Sequence, residues 1–360
     1  MALSFPIPTD PRHTDQAKID QINLDPGFGK FFTDHMARAT WDEGRGWHDD
    51  EVVEFGSIGA DPANAVLHYA QEIFEGLKAY RRADGSIWLF RPEANARRML
   101  GSSVRLALPQ IPVEDFVEAV RQLVRVDACW VPGGDEQSLY LRPFMFANED
   151  FLGVRPAKTV AFYVIASPVG SYFTGGVAPV DIWVSTTYAR VADGGTGAAK
   201  CGGNYAASML PQELAYQNGC SQVLFTDAAT HTRVEELGGM NFGFITADKQ
   251  LVTPELNGNI LAGVTRDSIL TAAPKLGLTP VERAVTLAEV KDGVADGTIA
   301  ELFACGTAAV ITPIGSLKDE TGQWRVPAPE DSAVMALRQY LVDVQCGRRA
   351  DEFGWTQRVI

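Results

Sequence analysis

Hydrophobic positions change period several times along the 360-residue chain, and each change marks an element. PANAVLHYAQEIF (62–74) repeats its apolar residues at helical spacing, whereas SIWLF (86–90) is a short β-rich run. Pro92 stands where proline favours a first helical turn, and EANARRMLGSSVRLAL continues from it. VEDFVEAVRQLVRV (113–126) is a second amphipathic helix. SLYLRPFMF (138–146) and TVAFYVIASP (159–168) carry the aromatic and β-branched residues of strands. GSYFTGGVAP (170–179) breaks the pattern with glycine and ends in proline, as a connection between domains does. Beyond it, DIWVSTTY (181–188), SQVLFTD (221–227), NFGFIT (241–246) and ELFACGTAAVITPI (301–314) read as strands. Residues 204–218, LAGVTRDSILTAA (261–273) and SAVMALRQYLVDVQ (332–345) read as helices, with Gly219 placed to stop the first. Residues 1–30 are aperiodic and read as an arm. The pattern predicts a mixed α and β fold in two domains, a smaller one over 1–174 and a larger one over 181–360, joined by a linker at 175–180.

Charge narrows the partners. Forty-five acids against 31 bases give a formal net charge of −14. So acidic a surface argues against nucleic acid or an anionic membrane, either of which needs a basic stripe. The five cysteines, Cys129, Cys201, Cys220, Cys305 and Cys346, form no Cys-x-x-Cys pair, so neither a disulfide framework nor a metal knuckle is expected. No apolar run approaches the roughly 20 residues that span a bilayer. The N-terminus lacks the basic and apolar sections of a secretory signal, so a cytoplasmic protein is expected.

The most suggestive chemistry is in GGTGAAKCGGNY (194–205), where one lysine sits between glycine clusters ahead of a helix. Glycine lets backbone approach a ligand closely, and a helix N-terminus attracts anions. Three readings stand side by side: a solvated surface loop, a nucleotide phosphate loop, and a lysine that forms a Schiff base with pyridoxal phosphate. The second fails on detail, because that loop needs glycine before its lysine and Ser or Thr after it, and here they are Ala199 and Cys201.

Other segments bear on the choice. EELGGMNFGFI follows Lys200 by about 35 residues, then TPELNGNILAGVTRDSI. With KCGGNY, and with HYAQEIFEGLKAY, LFRPEANARRM, SLYLRP, GSYF and CGTAA in the same order, the chain resembles the branched-chain aminotransferases. These are fold type IV pyridoxal-phosphate enzymes, and the resemblance runs from about Phe28 onward. It implies a cofactor held between the two domains, mainly by the C-terminal one, and reversible transfer of the amino group of leucine, isoleucine or valine to 2-oxoglutarate. Lys200 would carry the Schiff base and then move protons as acid and base. Glu236 would face the pyridine nitrogen and Tyr205 the ring oxygen, with Leu261 against the ring face. Arg98, Val264, Thr265 and Thr307 would hold the phosphate. Phe28, Tyr69, Tyr140 and Tyr172 would wall the substrate pocket, with Thr307 and Ala308 near the substrate carboxylate. Arg142 would receive the side-chain carboxylate of glutamate, and Val154 would serve the other subunit of a homodimer. Arg97 would be a helix-surface arginine, and Glu235, one residue off the motif, would matter little.

Two departures stand out. Gly239 occupies a position that is threonine in some relatives, and Ala309 and Thr312 occupy the positions of a redox Cys-x-x-Cys pair found in others. Two other hypotheses remain at this point: a D-amino-acid aminotransferase or aminodeoxychorismate lyase of the same fold, and a nucleotide-binding module without pyridoxal chemistry. A visible or near-ultraviolet absorbance band separates the last from the others, and a substrate panel separates the first two.

Overall fold

The β-rich runs pair into two separate sheets in the computed structural model, which describes residues 2–170, 177–327 and 329–360. The chain divides into two compact units. One comprises Met1–Tyr172, Ala199–Gly202 and Asp343–Ile360, and the other Phe173–Ala198 and Gly203–Val342. Two segments thus belong with the first unit although they lie beyond the expected linker: the turn carrying Lys200 and the C-terminus.

The first unit carries β1 (His35–Asp42), β2 (Gly46–Glu54), β3 (Glu72–Phe74), β4 (Leu77–Arg81), β5 (Ile87–Phe90), β6 (Ser138–Ala147) and β7 (Thr159–Val169). They lie in the order β5-β4-β6-β7-β1-β2, with β3 also on β6 and the C-terminal strand Thr356–Arg358 on the outer edge of β5. Helices α1 (Gln16–Leu24), α2 (Ala65–Tyr69), α3 (Pro92–Arg105) and α4 (Val113–Val126) accompany the sheet. α4 buries Phe116, Val120 and Leu123 in the same core as Phe162 and Leu141, as its apolar stripe requires.

The expected helix over 62–74 is cut short. Ala70 takes a left-handed conformation and ends α2, and Glu72–Phe74 joins the sheet instead. Helical periodicity there loses to the ladder partner that β6 offers. α1 lies within the segment expected to be an arm, and β1 and β2 form a hairpin that the sequence reading passed over.

The second unit holds β8 (Val180–Ser185), β9 (Gln222–Thr226), β10 (Val234–Leu237), β11 (Asn241–Thr246), β12 (Gln250–Pro254), β13 (Thr279–Arg283), β14 (Ile299–Gly306), β15 (Val310–Asp319) and β16 (Gly322–Arg325). The sheet order is β10-β9-β8-β15-β14-β11-β12-β13, and a pairing of β10 with β11 through Glu236 and Asn241 closes the path on itself. Its helices are α5 (Gly202–Ala206), α6 (Met209–Gln217), α7 (Val264–Ala272), α8 (Leu287–Asp296) and α9 (Ala333–Gln345). The expected helix over 204–218 is two helices. Pro211 lacks the N–H that a continuous helix would need there, so the break falls just before it. Gly219 stops α6 at φ 69°. ELFACGTAAVITPI is not one strand but the β14–β15 hairpin, in which Gly306 pairs with Val310 around the loop Thr307–Ala309. Among the described residues no helix is long and apolar enough to cross a membrane, and all five cysteines are free.

Candidate active site

In the first unit the chemistry gathers where the strand β3–β4 is interrupted. Both halves pair with β6, Phe74 with Phe144 and Leu77 with Leu141, and Glu75 and Gly76 lie between. Across from them Pro143 has no N–H to give, while its carbonyl accepts from the Glu75 amide at 2.7 Å. A side chain at Gly76 has no room, because a Cβ there would stand 2.1 Å from the Tyr140 hydroxyl. FEGLKAY and YLRP are therefore two sides of one feature.

Successive strand residues face opposite ways. Glu75 meets α3, where it is wholly buried and takes a two-pronged pair from Arg98, Nε to Oε1 at 2.8 Å and Nη2 to Oε2 at 2.7 Å. Asn95 Nδ2 adds a bond at 2.8 Å. Burial works against ionisation of Glu75, but the Arg98 guanidinium and these bonds outweigh it and hold the carboxyl below its ordinary range. Arg97, its neighbour on α3, is exposed.

Phe74, Tyr140 and Arg142 alternate onto the other face. Arg142 Nη2 donates to the Tyr140 hydroxyl at 3.1 Å, and the guanidinium carbon lies 4.7 Å from the Phe74 ring centre. Phe28 packs edge-on against Tyr140 at 5.1 Å between centroids. The turn carrying Lys200 is tied to this ribbon by backbone. The Lys200 carbonyl accepts from the Phe74 amide at 2.9 Å, its amide donates to Ser102 Oγ at 2.9 Å, and the Gly202 amide donates to the Glu72 carboxylate. Lys200 Nζ stands 4.6 Å from the Phe74 ring centre. Burial, helped by the Arg98 and Arg142 charges and opposed by Glu75 and Tyr140, pushes its pKa down to about 8. An amine so placed is neutral far more often near pH 7 than a solvated lysine is, which is the condition for a nucleophile.

In the second unit Glu236 sits at the closure of the sheet. Its Oε1 accepts from the Leu261 amide at 3.0 Å and meets Arg190 Nη2 at 2.5 Å, while Oε2 accepts from Asn241 Nδ2 at 3.1 Å. Asn241 Nδ2 also reaches the Leu261 carbonyl at 2.9 Å, so Leu261 is held from both sides of its peptide. Three residues on, α7 begins at Val264 and Thr265 behind Gly263, and no side chain caps it. A Cβ at Gly263 would lie 1.9 Å from Asn241 Oδ1, so glycine is required by the close approach. First-turn amides have no acceptor inside a helix and favour an anion. Thr307 and Ala308 occupy the β14–β15 loop, and Tyr205 lies half-buried on α5.

A family model for amino-transferase class IV matches residues 72–317. The chain belongs to the class IV aminotransferases. A Mycobacterium tuberculosis protein named branched-chain-amino-acid aminotransferase is 51% identical over 348 residues, covering 95% of either chain. A Streptomyces coelicolor protein named probable branched-chain-amino-acid aminotransferase is 54% identical over 336 residues, covering 93% of this chain and 92% of its own. Among solved structures, a branched-chain amino acid aminotransferase complexed with N-(5'-phosphopyridoxyl)-L-glutamate superposes with a TM-score of 0.73 at 26% identity, over 90% of this chain and 99% of that one. The Escherichia coli branched-chain amino acid aminotransferase superposes with a TM-score of 0.73 at 25% identity, over 90% of this chain and 100% of that one.

Within this class IV chain the expected site residues fall into groups. The first unit brings Lys200, Arg98, Phe28, Tyr140 and Arg142 into one neighbourhood. The Tyr69 hydroxyl donates to the Leu152 carbonyl, beside the loop in which Val154 is 88% exposed. Tyr172 lies outside the described residues. The second unit joins Glu236 to Leu261 and places Val264 and Thr265 on the first turn of α7. Sequence reasoning missed the supports. Glu75 and Arg190 are the partners of Arg98 and Glu236, and Asn95 and Asn241 steady the two acids. Glu75 had a signal, an acid inside the apolar run IFEGL; Arg190 had none. Glu235, expected to matter little to the chemistry, is nonetheless no surface charge. It is 1% exposed, accepts from Asn259 Nδ2 at 2.8 Å, and has its carboxyl pKa raised by burial.

Proposed function

We propose that this chain reversibly transfers the amino group of leucine, isoleucine or valine to 2-oxoglutarate with pyridoxal phosphate as cofactor, working as a cytoplasmic homodimer. The observation that carries the reading is the half-buried Lys200 amine, 4.6 Å from the Phe74 ring centre and lowered to a pKa of about 8 by desolvation and by the charges of Arg98 and Arg142. Relatives 51–54% identical bear the branched-chain name, and a related structure is titled for a phosphopyridoxyl-glutamate complex.

The residues present fit the cofactor. A phosphate dianion wants an arginine and helix-start amides; Arg98 in the first unit and the first turn of α7 in the second are groups of that chemistry. A protonated pyridine wants a carboxylate beside it, and Glu236 offers one fixed by Arg190 and the Leu261 amide. Bound there, pyridoxal phosphate supplies the electron sink for the carbanion at the substrate α-carbon. Lys200 would hold the cofactor through Nζ and, once released, move the proton at that carbon. Arg98, Val264, Thr265 and Thr307 would grip the phosphate, Tyr205 the ring oxygen, and Leu261 the ring face. Phe28, Tyr140 and Arg142 would line the side-chain pocket with Tyr69 and Tyr172, and Thr307 and Ala308 would receive the substrate carboxylate. Val154, so exposed in one chain, would complete the pocket of the partner subunit.

An apolar pocket distinguishes aliphatic side chains by only about 1–3 kcal/mol per methylene, so the three branched substrates should react within about a hundredfold of one another. Glutamate is harder, because its second carboxylate needs a charge partner, and Arg142 supplies one. The test is a panel of L- and D-amino acids with 2-oxoglutarate, followed by cofactor absorbance. Leucine, isoleucine, valine and glutamate should convert the bound cofactor; a preference for D-alanine would overturn the assignment.

A further inference from the structure

Arg142 has a charged neighbour that the reaction as described does not use. Glu72 is on β3, in register with Phe146 of β6, and alternation puts it on the same face of the ribbon as Phe74, Tyr140 and Arg142. Its carboxylate is fastened by the amide of Gly202, two residues after Lys200. Gly202 must be glycine for this, since a Cβ there would stand 2.2 Å from Glu72 Oε1. The group is half-buried, and burial raises its carboxyl pKa, while the Gly202 amide and the Arg142 charge work in the opposite direction and favour the carboxylate. Arg142, for its part, spends Nη2 on the Tyr140 hydroxyl, while its Nε is buried with no hydrogen-bond partner. A buried guanidinium N–H without an acceptor is costly unless something else comes to it.

We infer that Glu72 is a specificity-determining residue, the built-in counter-ion of Arg142 that an incoming side-chain carboxylate must compete with. The inference rests on Arg142 being the receptor for that carboxylate. When an aliphatic side chain fills the pocket, Glu72 balances the guanidinium, and an apolar group can be buried beside a charge that already has its opposite. When a dicarboxylate enters, its distal carboxylate takes the unpartnered Nε edge of Arg142 and meets repulsion from Glu72. The pocket's preference between apolar and acidic side chains is then set by one negative charge, fastened by the turn that carries Lys200. Because the carboxylate is tied to backbone, it cannot swing aside to relieve the repulsion.

Glu72→Gln isolates this charge, because the amide oxygen can still accept from Gly202. The probes are two unreactive acids, glutarate and 4-methylvalerate, titrated into the holoenzyme and read by the shift in cofactor absorbance. Glu72→Gln should bind glutarate about fivefold tighter, the scale of a partly screened charge pair, while 4-methylvalerate does not tighten. The gain should shrink at high salt. Arg142→Met is the companion variant. If it leaves glutarate affinity unchanged, the assignment of Arg142 itself is wrong. If it abolishes glutarate binding while Glu72→Gln moves both probes alike, Arg142 stands and Glu72 is only a structural tether of the lysine turn.

Discussion

Glu75 in the first unit and Glu236 in the second are both nearly removed from water, and each meets an arginine: Arg98 at 2.7 Å and Arg190 at 2.5 Å. The surroundings differ. Glu75 is enclosed on the α3 side of its sheet, with Asn95 and the Gly76 amide as further donors, and Arg98 is the more exposed member. Arg190 instead is as buried as its acid, and it is fixed by the carbonyls of Gly197 and Asn259. In our reading the first pair presents its arginine to a phosphate and the second presents its acid to a ring nitrogen. Taking two charges out of water costs several kcal/mol each, and their attraction returns it only when further hydrogen bonds complete the geometry. Both sites meet that condition, so a buried pair can hold either member ready for a ligand, depending on which one the surrounding backbone leaves at the edge.

The comparison can be broken at several strengths. The largest effect should come from Lys200→Ala, whose amine the proposed function uses both as anchor and as proton carrier. Turnover should fall at least about 10⁴-fold, since positioned acid–base catalysis alone reaches that size. Steady-state rates on leucine check it, and near-normal turnover would remove the foundation of the proposed function.

Next come the pairs as structural elements. Glu75→Ala leaves Arg98 without its anion and should destabilise the fold by about 3–5 kcal/mol, read as a fall in urea midpoint. Arg190→Ala should cost a similar amount by leaving Glu236 alone. If instead one pair proves dispensable, the parallel between them fails. Glu236→Gln should act on rate more than on folding, lowering kcat on the order of 10²-fold, as removal of one preorganised electrostatic group does. Glu235→Gln, beside it but bonded to Asn259, should perturb stability more than kcat. Equal losses of kcat in the two variants would mean the acid facing the ring is misassigned.

A subtler test concerns the amine. With Lys200 lowered to about 8, the rate at which cofactor-free protein takes up pyridoxal phosphate should rise through that pH and level off above it. A rise that continues toward the ordinary lysine range would show that the site does not depress the amine.

The smallest effect belongs to a third buried pair, away from both acids. His35 Nδ1 lies 2.7 Å from Asp127 Oδ1 with both side chains fully buried, and that hydrogen bond raises the His35 pKa above 6.5 against the opposing effect of burial. Because the folded value is the higher one, the protonated histidine contributes stability fully below about pH 6.5, and the contribution fades as pH rises through the raised value. The urea midpoint of His35→Asn should therefore lie furthest below wild type at acidic pH, and the gap should narrow as pH rises through the raised value, over a range of about 1 kcal/mol. A gap that does not change with pH would make His35 a packing residue only.

The sequence by itself determined the pieces whose signals are local. Periodicity marks α3, α4 and α7, β-branched runs mark β6, β7 and β11, and Lys200 is singled out by the glycines on either side. Order and spacing of motifs were enough for the family, because several distinct motifs matched in one sequence order. The tertiary structure decided what depends on a partner far away in the chain. Glu72–Phe74 is strand because β6 lies beside it, although its apolar spacing continues a helix. The C-terminal Thr356–Arg358 joins the first sheet because β5 has an edge to pair. Glu75 and Arg190 matter only because folding brings Arg98 and Glu236 to them, across 23 and 46 residues of sequence. Buried charges are where this limit is sharpest: a charged residue looks alike in any sequence, and only the fold says whether it meets water or its opposite.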